Sequence, residues 1–176
     1  MQKREYLHFY KKENPNGKIS KMNDKQIKEI LENSKTIAMI GVSSEKKGED
    51  PKNLKRKPAN VVMKYMQDFG YKVYPINPFA EGEIINGEKV IKSLDNIPEE
   101  IDIVDVFRPS KEAPDIAEEA VKKKGKVLWL QYGIHHDEAE KIADQANINF
   151  ISNKCIKQEY QRLFLKSNPV FPVLKN

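Results

Sequence analysis

The chain has 176 residues, 39% hydrophobic and 32% charged, with a formal net charge of +5 and a pI near 9.1. That length suits one domain with extensions, and no apolar stretch is long enough to cross a bilayer. A single cysteine excludes an internal disulfide or a cysteine-cluster metal site, and residues 1–12 lack the apolar centre of a signal peptide, so a cytoplasmic protein is expected.

Residues 1–21 read as a polar, basic extension with Tyr6, Phe9 and Tyr10 interleaved. Lysines with aromatics can grip single-stranded nucleic acid. No partner motif accompanies them, and the remaining lysines are dispersed beside glutamates, so a docked or disordered tail is expected instead. The main domain covers residues 22–166. Asn23 or Asp24 caps a short amphipathic helix over 24–34, with Ile27, Ile30 and Leu31 on one face. The continuous apolar run 37–42 reads as a buried strand. A helix over 59–69 follows, with Val62, Met63, Met66 and Phe69 inward and Val61 as a further inward candidate, and it stops at Gly70. The second strand is 72–76, residues 88–91 add a short edge strand, and 93–97 form a helical turn. Pro75 cannot donate to a ladder, so its strand lies near an edge or its outer neighbour pairs incompletely.

The third long strand is 101–107. Ser110 caps a helix that runs to Lys124, with Pro114 in its first turn and Gly125 at its end. A strand over 127–132, a helix over 137–146, a strand over 148–152 and a closing helix over 156–165 complete the domain. Residues 167–176 read as a tail packed against it. This alternation predicts an α/β, three-layer fold with a mostly parallel sheet of five to six strands. Ligands of such sheets sit outside the strand carboxyl ends. Five strand exits therefore gather on one rim: residues 41–44, 77–78, 108–110, 131–133 and 153–155.

The first exit, Gly41-Val42-Ser43-Ser44, offers backbone N–H groups and hydroxyls to an anion, with a helix start behind them. The loop between is basic, with Lys46, Lys47, Lys52, Lys55, Arg56 and Lys57. After Gly41 no glycine occurs until Gly48, so the dinucleotide fingerprint is absent, and no Walker A loop is present. The second strand ends in Asn77 and Pro78, where an NAD site usually carries an acid for the ribose. Taken alone, that pair is also a simple strand-ending turn. Arg108 suits either a bidentate phosphate contact or a bridge to a surface carboxylate. Trp129 reads as core, and Gln131 and Tyr132 as rim. The run His135-His136-Asp137 is better explained by helix capping through Asp137 than by a metal.

From about Thr36 to Leu163 the chain resembles the small stand-alone CoA-binding domain proteins, which share their fold with the amino-terminal domain of the succinyl-CoA synthetase alpha subunit. The resemblance rests on Ile40-Gly41-Val42-Ser43, Lys57-Pro58-Ala59-Asn60 and the segment 70–78 ending in Asn77-Pro78. It continues through Ile85-Asn86-Gly87, Ser93-Leu94, the segment 102–108, Trp129-Leu130-Gln131-Tyr132-Gly133 and the segment 155–163. It implies a Rossmann-like domain that binds coenzyme A, free or acylated, at the strand carboxyl ends. The implied pyrophosphate site is Val42, Ser43 and Ser44 after Gly41, facing the helix start at Ala59 and Asn60. Asn77 and Pro78 would meet the adenosine end. Phe107, Arg108 and Ser110, with Gln131, Tyr132 and Gly133, would line the pantetheine arm. Arg56 and Lys57 are the candidates for the ribose 3′-phosphate. No catalytic machinery is expected: the ligase relatives carry a phosphorylated histidine in a separate domain that this chain is too short to build. Cys155, at a helix start, reads as buried, with a mixed disulfide to the CoA thiol as the reactive alternative. A homodimer or a protein partner fits the same reading. Two other classes stand beside it: a nicotinamide-dependent oxidoreductase or redox sensor, and a basic interaction module for nucleic acid or protein.

Overall fold

Runs of β-branched and aliphatic residues alternate with amphipathic helices, and the chain folds as that alternation dictates. The computed structural model describes residues 22–44 and 57–165. The extension 1–21, the loop 45–56 with Arg56, and the tail from 166 onward lie outside the described residues. In chain order the elements are α1 (Asp24–Asn33), β1 (Thr36–Ile40), α2 (Pro58–Asp68), β2 (Lys72–Ile76), β3 (Ile84–Ile85) and β4 (Glu88–Lys89). They continue with β5 (Ile103–Val106), α3 (Ala113–Lys122), β6 (Val127–Leu130), α4 (Asp137–Gln145), β7 (Asn149–Ile151) and α5 (Ile156–Tyr160).

The main sheet is parallel throughout, in the order β2-β1-β5-β6-β7. The chain leaves β1 toward one edge and returns past it to β5, so strand order reverses between β1 and β5. That gap is the topological switch point, where doubly wound sheets place their ligands. The side chains of each strand alternate between two cores. Met39, Ile103 and Trp129 pack under α1, α2 and α5, while Ala38, Val104 and Leu128 pack under α3 and α4. The result is the expected three-layer Rossmann-like fold. Among the described residues no helix is long and apolar enough to cross a membrane.

Several local expectations change. The 88–91 segment is no full edge strand: β4 pairs with β3 in a small hairpin turning at Asn86 and Gly87, and only Ile91 bridges to Ile76 of β2. Pro75 fits this arrangement. Lys72 and Ile76 bond toward β1, through Lys72 N–H to the Lys35 carbonyl and Gly41 N–H to the Ile76 carbonyl. Pro75 therefore faces outward, where its carbonyl accepts from Ile91 and its missing N–H breaks no ladder. Ser110 begins a 3-10 turn instead of capping α3. Helix α3 ends in a Schellman turn with Lys124 at φ 60 and the Gly125 N–H on the Ala120 carbonyl. Gly125 also fits a tight spot, since a Cβ there would stand 3.0 Å from Val104 Cγ2. His136, not Asp137, is the N-cap of α4, its Nδ1 accepting from the Glu138 N–H. Phe69 is 39% exposed at the end of α2, outside the core its spacing suggested. Asn23 caps α1 with a full capping box to Gln26.

Candidate functional site

Two of the five strand exits, those of β1 and β2, meet at the start of α2, and asparagine side chains hold them there. Gly41 turns out of β1 at φ 97, a left-handed conformation, with its N–H on the Ile76 carbonyl. A side chain at this point has no room: a Cβ would meet the Phe107 carbonyl oxygen at 2.7 Å and Arg108 Cδ at 3.0 Å. The floor of the switch point is thus closed backbone against backbone.

Asn60, buried in the first turn of α2, grips the β1 exit with both ends of its amide. Its Oδ1 accepts from the Ser43 N–H at 2.8 Å and its Nδ2 donates to the Ser43 carbonyl at 2.9 Å. Asn86 Nδ2 in turn donates to the Asn60 carbonyl at 2.8 Å. Asn77 works from the β2 exit: Nδ2 donates to the Val42 carbonyl at 2.8 Å, and Oδ1 accepts from the Phe79 N–H at 2.9 Å. The Ser44 hydroxyl donates to the Glu83 carboxylate at 2.7 Å. These bonds bring together Gly41, Val42, Ser43, Ser44, Asn60, Asn77 and Pro78. They also change what the loop offers, since the Ser43 N–H and the Ser44 hydroxyl already have protein partners. The donors suited to an anion shift to the start of α2. There Lys57 is the N-cap and makes no side-chain capping bond, Pro58 follows, and the first-turn N–H groups of Ala59 and Asn60 point out along the helix axis.

The later exits form a second knot. The His135 N–H reaches Ser110 Oγ at 3.4 Å, and the Gly133 N–H donates to Asn153 Oδ1 at 2.8 Å. Tyr132 between them is 76% exposed, while Gln131 is buried with its N–H on the Val106 carbonyl. Arg108 stands over the switch point in a bidentate pair with Glu112, Nε to Oε2 at 2.8 Å and Nη2 to Oε1 at 3.0 Å. That pair holds the Glu112 carboxyl below its ordinary range. Of the two readings open for Arg108, the structure displays the carboxylate bridge.

Asp105 of β5 was not among the sequence candidates, and it is the most unusual group near the rim. It is 0% exposed. Its Oδ1 accepts from Gln131 Nε2 at 2.6 Å, and its Oδ2 has no hydrogen-bond partner among the described residues. Burial pushes the carboxyl up to about 7, against the pull of Gln131 and the Val106 backbone. A lone acid inside the apolar run 101–107 was the signal available in the sequence. Glu83, Asn86 and Glu112 were also missed, because nothing local marks them.

Trp129 is fully buried and donates from Nε1 to the Lys154 carbonyl at 2.7 Å. His135 has both ring nitrogens engaged, by Ser152 Oγ and Asp137 Oδ1, each at 2.9 Å. A cavity of about 590 Å³ opens beside the end of β7, lined by Met22, His135, Phe150 and Lys154 among others. Asn153 and Lys154 of the fifth strand exit line it, and none of the residues expected to meet coenzyme A does.

A family model described as CoA binding domain matches residues 35–161. The Bacillus subtilis protein YneT is 36% identical over 132 residues, covering 75% of this chain and 90% of that protein. The alpha subunit of an ADP-forming acetate–CoA ligase from Pyrococcus furiosus is 36% identical over 128 residues, 66% of this chain and 25% of the ligase subunit. Among solved structures, a Thermus thermophilus protein superposes with a TM-score of 0.70 at 37% identity, covering 81% of this chain and all of its own. A Pyrococcus horikoshii protein gives the same TM-score at 38% identity, covering 81% of this chain and 92% of its own.

Proposed function

The chain belongs to the CoA binding domain family, and from that premise we propose that it binds coenzyme A or an acyl-CoA across the exits of β1, β2, β5 and β6. The observation that carries the reading is the clamp of Asn60 and Asn77 on residues 42–43 at the switch point. A loop held so firmly presents a fixed surface to a long ligand, and order built in beforehand lowers the cost of binding.

On this reading the pyrophosphate lies against Val42 and the first-turn N–H groups of Ala59 and Asn60, with Lys57, and Arg56 from the neighbouring loop, nearest the 3′-phosphate. The adenosine end lies by Asn77 and Pro78, where the Phe79 ring, 82% exposed, offers a flat apolar face. The pantetheine arm runs past Phe107, Arg108 and Ser110 toward Gln131, Tyr132 and Gly133. The protein is a binding module working in the cytoplasm, with no catalytic group assigned. Ligase activity belongs to relatives of which this chain matches a quarter, and it is not transferred.

A nicotinamide dinucleotide is disfavoured because Asn77 spends both ends of its amide on the protein, leaving no acid or amide for a ribose diol. Thermal denaturation with CoA, acetyl-CoA, dephospho-CoA, NAD and NADP decides the matter. Ligand at about 100 times its Kd stabilises by roughly 2.7 kcal/mol. CoA is expected to raise Tm by several degrees and dephospho-CoA by less; a rise with NAD and none with CoA overturns the reading.

A further inference from the structure

Asp105 poses a physical problem that the fold does not explain. Charged groups are seldom buried without a counter-charge, and a buried polar atom without a partner costs free energy. This carboxyl is fully buried, bonded through one oxygen to Gln131 and through the other to nothing among the described residues. It lies one residue below the end of β5, at the strand that borders the switch point. Its register neighbours are Met39 on β1 and Trp129 on β6, both apolar. The elements packed on that face of the sheet carry titratable groups of their own, Tyr65 on α2 with Cys155 and Glu159 at α5. Glu159 is paired with Arg162 and Lys154, and burial, Gln131 and the Val106 backbone are the influences that set the Asp105 carboxyl.

Resting on the CoA reading, we propose that Asp105 is a positioning residue of that groove: its carboxyl fixes the Gln131 amide at the β6 exit, and its charge state sets how tightly the anionic ligand is held. Gln131 has one amide edge committed to Asp105, which fixes which way round the amide lies. Its orientation at the exit therefore follows from the strand beneath it. An amide so held is suited to the secondary amides of a pantetheine arm, each of which carries one donor and one acceptor. When Asp105 is neutral, the groove floor carries no charge. When it ionises, a negative charge appears in a low-dielectric interior below a ligand that bears several of its own. Binding and protonation are then linked, and each must shift the other by the same factor.

The test compares CoA affinity of the full-length wild type and Asp105→Asn by calorimetry from pH 5.5 to 8.5. The 3′-phosphate of CoA titrates in both experiments, so the ratio of the two Kd values isolates Asp105. Relative to the variant, the wild type is expected to weaken by about three- to tenfold as pH rises through 7. A ratio constant across this range overturns the proposal, because a purely structural carboxyl gives no such slope. Should Asp105→Asn fail to fold, carbon-13 NMR of the carboxyl in the wild type decides alone. Saturating CoA is expected to raise the Asp105 midpoint, and an unmoved midpoint overturns the proposal. Wild type that binds no CoA at any pH overturns the CoA reading and this inference together.

Discussion

Gly41 and Phe107 meet so closely that a Cβ on the first would stand 2.7 Å from the carbonyl oxygen of the second. The contact joins the β1 exit to the β5 exit and seals the floor of the switch point. Gly41→Ala meets both a backbone clash and a left-handed φ of 97. A loss of roughly 2–4 kcal/mol is expected in urea denaturation. A loss under 1 kcal/mol would mean that the two exits can separate.

Asn60→Ala removes both bonds to Ser43 and leaves a half-buried N–H and carbonyl without those partners. The expected cost is about 1–3 kcal/mol of stability. CoA affinity should fall by more than the stability loss alone implies, since the loop loses its fixed shape. Calorimetry at a temperature where the variant remains folded separates the two effects.

Arg108→Ala distinguishes the two uses of that side chain. Its exposed pair with Glu112 is worth at most about 1 kcal/mol, so Tm should hardly move. A guanidinium that turns from Glu112 to a ligand phosphate predicts a loss of CoA affinity of about tenfold or more. Unchanged affinity would assign Arg108 to the carboxylate bridge alone.

Asp105 predicts an unusual pH profile of stability. Burial pushes its folded carboxyl up to about 7, from an ordinary value of 3.8. The native state holds a proton that the unfolded chain has released, so stability from this group is full below pH 4 and lost as pH rises to 7. Asp105→Asn removes the loss. Its advantage over wild type should grow by up to ~4 kcal/mol between pH 4 and 7 and then level off. Chemical denaturation at four or five pH values measures it, and parallel profiles would refute the assignment.

Asp102 predicts the opposite slope. Burial alone would raise its carboxyl, but Lys126 and the N–H groups of Lys35 and Thr36 outweigh burial and hold it low. It joins the amino ends of β1 and β6 to β5. Its contribution is present above pH 4 and is lost as pH falls through the lowered value. Asp102→Asn should cost roughly 1–3 kcal/mol at pH 7 and progressively less toward pH 2, by the same denaturation series.

Period and punctuation carried the main sheet into view. Each long strand is a short apolar run ended by a polar exit, and Ile27, Ile30 and Leu31 mark the buried face of α1 by spacing alone. What stayed hidden depends on partners distant in sequence. The resemblance placed Asn60 at the helix start facing the pyrophosphate, but its hold on Ser43, 17 positions away, appears only in the fold. Glu83 acquires a role only through Ser44. Ser110 has the chemistry of a cap, yet the chain first makes a 3-10 turn and the hydroxyl serves His135 instead. Lys124, not Gly125, takes the left-handed position that ends α3, and Gly125 follows where a Cβ would press on Val104 Cγ2 at 3.0 Å.

Pro75 has a consequence for how the molecule behaves among its neighbours. The outer side of β2 is an open edge, and such edges invite strands from other chains. Here the Pro75 carbonyl and the Asn77 N–H are already taken by Ile91, and Pro75 itself has no N–H to lend. An incoming strand would find the middle of that edge mute. Replacing Pro75 by valine would restore a donor there, and the variant is expected to self-associate more readily in concentrated solution than the wild type, as light scattering would show.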